Sequence, residues 1–216
     1  MVVRPPHPAT VGPPRTRRGR PPTLSRDVIA DAALDLGFAT VTMKALAAAL
    51  GTGHASLYTH VADRRDLVAA AVDRLHQRAE WPALVGTDWR AYLAGQADVT
   101  WGLLAADPAL VAEAADVVSG AQVAHSDEVI RTLIGVGFAP DAALLAADLV
   151  LDLVHDVFIR GEALAGGLAA TPEPGWLDGL DPAVRGAAAS AVADPRSWFD
   201  RKLAVVLDGI AAGLAP

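Results

Sequence analysis

Residues 42–61 read TMKALAAALGTGHASLYTHV, and this stretch decides the fold. Thr42 is a good N-cap. Ala45, Leu46, Ala49 and Leu50 follow at helical spacing on one face, and Gly51 stops the run. After Gly51-Thr52-Gly53 a second segment, 54–60, turns Leu57 and Val61 inward. Two short helices joined by a glycine-containing turn of about three residues form the helix-turn-helix pattern. On the N-terminal side, Ser25 caps a helix with Asp27 in its first turn, an apolar stripe of Val28, Ile29, Ala32, Ala33 and Leu36, and Gly37 at its end. On the C-terminal side, Asp63 caps a helix to about residue 79 that carries Leu67, Val68, Ala71, Val72 and Leu75 on one face.

The rest of the chain continues as helices. Thr87 or Asp88 opens one with Trp89, Leu93, Ala97, Trp101 and Leu104 inward. Asp107-Pro108 is an N-cap and N1 pair for a helix to about residue 118. Helices are expected over 121–136 and, from Pro140, over 140–165. A Gly/Pro-rich loop at 166–180 follows, and Asp181-Pro182 and Asp194-Pro195 open the last two helices. The chain has 216 residues, 46 of them alanine, the best helix former, and shows neither alternating strand patterns nor an internal repeat. The expected class is all-α, with a basic disordered arm over 1–23, a helix-turn-helix domain over 24–70 and a ligand-binding and dimerisation domain over 71–216. There is no cysteine, which excludes disulfides and thiolate metal sites. No apolar run is long enough to span a bilayer, and the first 22 residues do not read as a signal peptide, so a cytoplasmic protein without membrane partners is expected.

The net charge of −7 conceals an asymmetry. Residues 1–80 carry 11 Lys/Arg against 7 Asp/Glu, a net +4, and the remainder carries 7 against 18, a net −11. A basic head on an acidic body suits a head that meets a polyanion. A helix entering a DNA major groove must expose small and polar groups in front and bury an apolar face behind. His54, Ser56, Thr59 and His60 supply donors and acceptors, and Gly53 and Ala55 permit close approach to bases. Tyr58, Thr42, Lys44 and Arg64 are placed to touch phosphates. The competing readings are a core tyrosine at 58, a packed histidine at 60 and a solvated lysine at 44. The segment holds no Arg, Gln or Asn for bidentate base contacts, so it does not fix an operator sequence.

Ser25–Leu75 resembles the DNA-binding region of the TetR family of bacterial repressors. The residues that carry the resemblance are Ala32-Ala33-Leu34, Gly37, Thr42, Leu46-Ala47, Leu50-Gly51, Leu57-Tyr58, His60-Val61, Arg65 and Leu67. Beyond the head the layout is similar to the tetracycline-repressor branch, with a tryptophan-bearing fifth helix, Gly137-Phe138 before a long helix, a loop and two closing helices. The resemblance implies a homodimer on a palindromic duplex operator, released by a small-molecule inducer, and the same DNA contacts for the residues above. Arg17-Arg18-Gly19-Arg20-Pro21-Pro22 resembles a minor-groove AT-hook arm, against the alternative of a solubilising tail. Ala114 and Arg160, with Glu162 nearby, stand near the places of a histidine and a glutamate that hold magnesium-bound drug in the tetracycline repressor, which argues against tetracycline.

The resemblance further implies a cavity between the fifth, seventh and eighth helices. Its expected apolar walls are Leu93, Ala97, Leu104, Val129, Leu133, Leu149 and Leu153. Gln96, Thr100, His125 and His155 are its expected polar groups. Such a wall suits an apolar, neutral or cationic organic guest. The helices over 140–165 and 195–214 are apolar around much of their circumference, so they are expected to form the dimer interface, with Leu207 and Ile210 in it. Asp148, Asp152, His155 and Asp156 share a helix face, readable as solvated, interfacial or ligand-facing. Trp89, Trp101, Trp176 and Trp198 fit core, pocket or interface. No phosphate-binding loop, zinc-hydrolase or nucleophile-elbow motif is present, so neither an enzyme nor a cofactor is expected. Two alternatives stand beside the ligand-responsive repressor: a DNA-binding protein without inducer, and a small helical ligand carrier.

Overall fold

A computed structural model describes residues 23–164 and 175–216. Among these residues the regular elements are all helical. They are α1 Arg26–Leu36, α2 Met43–Ala49, α3 His54–Leu57, α4 Arg64–Arg78, α5 Trp89–Ala106, α6 Pro108–Glu113, α7 Gly120–Gly135, α8 Pro140–Leu164, a 3-10 turn Trp176–Gly179, α9 Pro182–Ala193 and α10 Pro195–Gly213. The arm residues Arg17, Arg18 and Arg20 lie outside the described residues.

Side-chain caps fix most helix starts. Ser25, Thr42, Asp63, Asp88, Asp107, Asp181 and Asp194 each accept a backbone N–H from the first turn of the helix that follows. Each bond satisfies a donor the helix itself leaves unpaired. Ser119 and Gln122 form a reciprocal capping box on α7. Between α2 and α3 the chain reverses at Gly51, whose φ of 62° is the left-handed region where a β-carbon is strained. Two helices come out shorter than their sequence patterns. α3 stops at Leu57 rather than His60, and α6 stops at Glu113 rather than near residue 118.

Two apolar cores organise the chain. The head core joins Ile29, Ala33, Phe38, Leu46, Leu57, Val61 and Leu67, all buried. It runs on into α4 through Val72 and takes in Leu110 from α6. α4 is therefore continuous across residue 70, a rod of 15 residues, roughly 22 Å at 1.5 Å per residue. The body core is built where α5, α7 and α10 pack on α8, around Leu93, Leu133, Val150, Val154, Phe199 and Leu203. At the end of this packing α8 and α10 come close. A β-carbon added at Gly161 would sit 2.9 Å from Cβ of Pro195. Arg196 locks the same corner, bonding Asp98 at 2.5 Å and Asp200 at 3.0 Å while lying over the rings of Trp101 and Phe199.

Candidate nucleic-acid interface and body cavity

The front of the helix-turn-helix is built as the sequence pattern requires. Leu57 and Val61 are fully buried behind it. Gly53, His54, Ala55, Ser56, Tyr58 and Thr59 are exposed, and His60 is half-buried. Tyr58 is 47% exposed, which sets aside the core reading of this ring. The His54 ring meets its edge at a centroid distance of 5.2 Å. Thr59 spends its hydroxyl proton on the Ser56 carbonyl at 2.7 Å, so it faces outward as an acceptor. Thr42 accepts from Ala45 N–H at 3.1 Å, which leaves its own O–H to donate. Lys44 is exposed on the same helix. These residues, His60 in part, are open to solvent.

Arg64 departs from the expected phosphate contact. Its Nε and one terminal nitrogen grip both carboxylate oxygens of Glu113, at 2.7 and 2.6 Å. Its other terminal nitrogen donates to the Val41 carbonyl at 2.9 Å, and the guanidinium lies over the Phe38 ring. The Glu113 hydrogen bond raises its pKa above an already high value, against the opposing effect of burial. An arginine that already spends these donors on a carboxylate and a carbonyl has few left for a phosphate. The geometry therefore assigns Arg64 to the joint between head and body. Three more residue pairs bond across that joint. Arg65 pairs with Asp116, Phe38 N–H donates to Asp107 at 2.7 Å, and Ala121 N–H donates to Asp73 at 2.9 Å.

Behind the joint lies a cavity of about 320 Å³, bounded by α4, α5, α6, α8 and the first turn of α7. Of the eleven residues expected to line it, Thr100, Leu104 and His155 do so. The others are corrected by packing. Leu93, Ala97, Val129 and Leu133 are buried in the body core, where α5, α7 and α8 meet without leaving room. Leu149 is 41% exposed and points away from the protein interior. Leu153 packs against the edge of the core. Gln96 is buried, and its Oε1 lies 2.9 Å from His125 Nε2, so this pair closes on itself. The cavity sits one layer closer to the head than the sequence suggested, because the α5–α7–α8 contact is tight and α6 is short.

His76, Leu75 and Val72 of α4 and Leu110 and Val111 of α6 also line it, together with Asp107, Gln122 and further apolar side chains. His76 and Trp81 were not singled out by sequence reasoning. The available signal was that His76 falls on the last turn of α4, past the head stripe. Trp81 stacks on His125 at 3.7 Å and donates its indole N–H to the His76 carbonyl at 3.0 Å. Burial lowers the pKa of His76 against the opposing Val72 hydrogen bond and Asp73, and burial also lowers that of His125, with His76 adding to the effect.

The acidic stripe does not gather into a site. Asp148 and Asp152 are exposed, Asp156 pairs with Arg160 at 2.6 Å, and His155 turns to the cavity. Among the described residues no group of histidines and carboxylates is arranged to hold a metal. Trp89 and Trp101 pack on phenylalanines, and Arg201 lies over Trp198. The side chains of Trp176 and Glu162 lie outside the described residues. Leu207 and Ile210 are buried inside the protomer, which removes them from any interface. The apolar side chains left outside on the same two helices are Leu144, Leu145, Leu149 and Ile159 on α8 and Val205 on α10. No described helix is long and apolar enough to cross a membrane.

No protein-family model matches the chain. It is 32% identical over 144 residues to the HTH-type transcriptional repressor DrrR1 of Streptomyces coeruleorubidus, a match covering 64% of this chain and 53% of that one. The chain thus spans about half the length of this curated relative. Among solved structures it resembles ActR of Streptomyces coelicolor, a TetR family protein in complex with actinorhodin, with TM-score 0.70 and 22% identity over 89% of this chain and 98% of that one. A putative transcriptional regulator from Streptomyces coelicolor A3(2) gives 0.68 and 25% over 90% and 100%. A single-residue variant of TetR from Acinetobacter baumannii AYE, in complex with minocycline, gives 0.64 and 19% over 88% and 98%. The match in fold runs the length of head and body, so the chain has the fold of these solved regulators, and over 144 residues its sequence is similar to a helix-turn-helix repressor.

Proposed function

We propose that the protein is a ligand-responsive transcriptional repressor. It binds a palindromic operator as a homodimer and lets go when a small organic molecule occupies the body cavity. The observation that carries this reading is the shared use of α4 and α6. Both line the cavity, and both build the head core, through Val72 of α4 and Leu110 of α6. A guest that spreads these walls must also move the head. Its affinity would then differ between the two head positions, which is what a released repressor needs.

The exposed front of α3 supports the DNA side of the reading, with Lys44, Thr42 and Tyr58 as phosphate contacts and residues 53–60 in the groove. Dimerisation is supported by Leu144, Leu145 and Leu149 on α8 and Val205 on α10, large apolar side chains that a lone protomer leaves in water. Two-fold pairing would set two heads one helical turn apart on DNA. The test is a mobility-shift assay on duplex taken from upstream of the protein's own gene. Selective binding over random duplex, reversed by members of a small-molecule library, is expected. Equal affinity for random duplex at moderate salt overturns the repressor reading.

A further inference from the structure

The cavity's polar groups are biased toward one hydrogen-bonding role, and the bias follows from the bonds they already make. His76 Nδ1 lies 3.0 Å from the Val72 carbonyl, and His155 Nδ1 lies 2.8 Å from the Leu151 carbonyl. A carbonyl oxygen only accepts, so Nδ1 is the protonated nitrogen in both rings. A neutral ring then keeps its lone pair on Nε2. Among the described residues neither Nε2 has a protein partner, and neither is a sealed, unsatisfied atom. Thr100 repeats the pattern, since its hydroxyl proton goes to the Gln96 carbonyl at 2.9 Å and only lone pairs remain. Asp107 brings a carboxylate, and among the described residues no lysine or arginine lines the space. Gln122 is the exception: its Oε1 accepts from Ser119 N–H at 3.1 Å, which leaves its amide N–H groups to donate. The remaining wall is mostly leucine, valine and alanine.

We infer that the cavity takes an uncharged, ring-based apolar molecule bearing at least two hydroxyl donors, which the Nε2 atoms of His76 and His155 accept. The inference rests on reading the cavity as the effector site. A carboxylate in the same place would find the neutral Gln122 amide but otherwise lone pairs and the Asp107 charge, with no cation to meet it. A guest with no donor would bury two imidazole acceptors unpaired, which costs affinity. Aromatic rings suit the apolar wall, and a volume of about 320 Å³ admits a two- or three-ring skeleton.

The test uses the full chain at about pH 7.5, above the ordinary imidazole value of about 6.5. The probes are 2,3- and 2,7-dihydroxynaphthalene, the dimethyl ether of each, naphthalene and 2-naphthoate. Calorimetry gives affinities, and long-range proton–nitrogen NMR of the histidine rings gives location. At least one diol should bind about tenfold or more tightly than its own dimethyl ether, the worth of two hydrogen bonds. The Nε2 signals of His76 and His155 should leave the bare-acceptor position as it binds. In His76→Phe and His155→Phe the diol-to-ether ratio should fall toward unity while naphthalene still binds; the wild-type comparison stands whether or not these variants fold. Diols no tighter than their ethers, with naphthalene still moving the two histidine signals, overturn the donor preference and leave the cavity reading intact. If 2-naphthoate binds more tightly than the diols, the donor preference is likewise overturned. If no probe moves those signals, the cavity reading fails and the inference with it.

Discussion

Single side chains at the head divide into those that face outward and those already committed. Tyr58 is half exposed, and its hydroxyl has no protein partner among the described residues. Tyr58→Phe should therefore keep the fold, checked by circular dichroism, and weaken operator binding about fivefold, the worth of one hydrogen bond of ~1 kcal/mol. Lys44→Ala should lower the log–log salt slope of binding by ~0.9, measured by fluorescence anisotropy across a salt series. Arg64 shows why one expected contact was not legible. Its identity and position fit a phosphate clamp, but its partner Glu113 lies 49 residues away, and no local pattern announces a long-range pair. His76 and His125 carry a pH dependence whose sign is fixed by their depressed values. The unfolded chain takes up protons near the ordinary imidazole value of about 6.5, while the folded chain resists them. Stability is thus full above that value and is lost as pH falls through it toward the lower folded values. The urea midpoint should drop between about pH 8 and 5.5, and the drop should shrink in His76→Gln.

At the scale of elements, most of the fold could be read directly, because caps and apolar stripes are local. Six helices begin where Ser25, Thr42, Asp63, Asp107, Asp181 and Asp194 announce them. What resisted was the side of a helix that meets a neighbour. α8 and α10 are apolar on several sides, so no local pattern told the interior from the exterior: packing buries Leu207 and leaves Val205 71% exposed. The distinction is testable by sedimentation. Val205→Glu or Leu145→Glu should give a folded monomer, whereas Leu207→Glu should unfold the body, since a buried unpaired charge costs several kcal/mol or more. The cavity resisted for the same reason, its place depending on how tightly α5, α7 and α8 close. Gly161 marks that closeness at the far end. Gly161→Ala would set a β-carbon 2.9 Å from Pro195 and should cost about 1–3 kcal/mol by urea denaturation, unless α10 shifts.

For the molecule as a whole, charge and connectivity divide differently. The basic residues gather in the first 80 and the acidic excess in the rest, which reads as two modules. The packing does not respect that cut. Leu110, from α6, is buried in the head core, and the Phe38 amide finds its acceptor in Asp107. Anyone recombining regulators by exchanging heads would therefore meet a seam that sequence alone hides. A transplant of residues 23–78 onto a foreign body leaves a hole where Leu110 sat and a backbone donor without its carboxylate. Such a chimera should be less stable than either parent by about 2–5 kcal/mol, the cost of a lost core leucine. Carrying residues 107–116 along with the head, or choosing a host that already supplies a leucine and an aspartate at those two places, should restore it. The unit that can be traded between such regulators is then discontinuous in sequence: a head together with the short helix that props it.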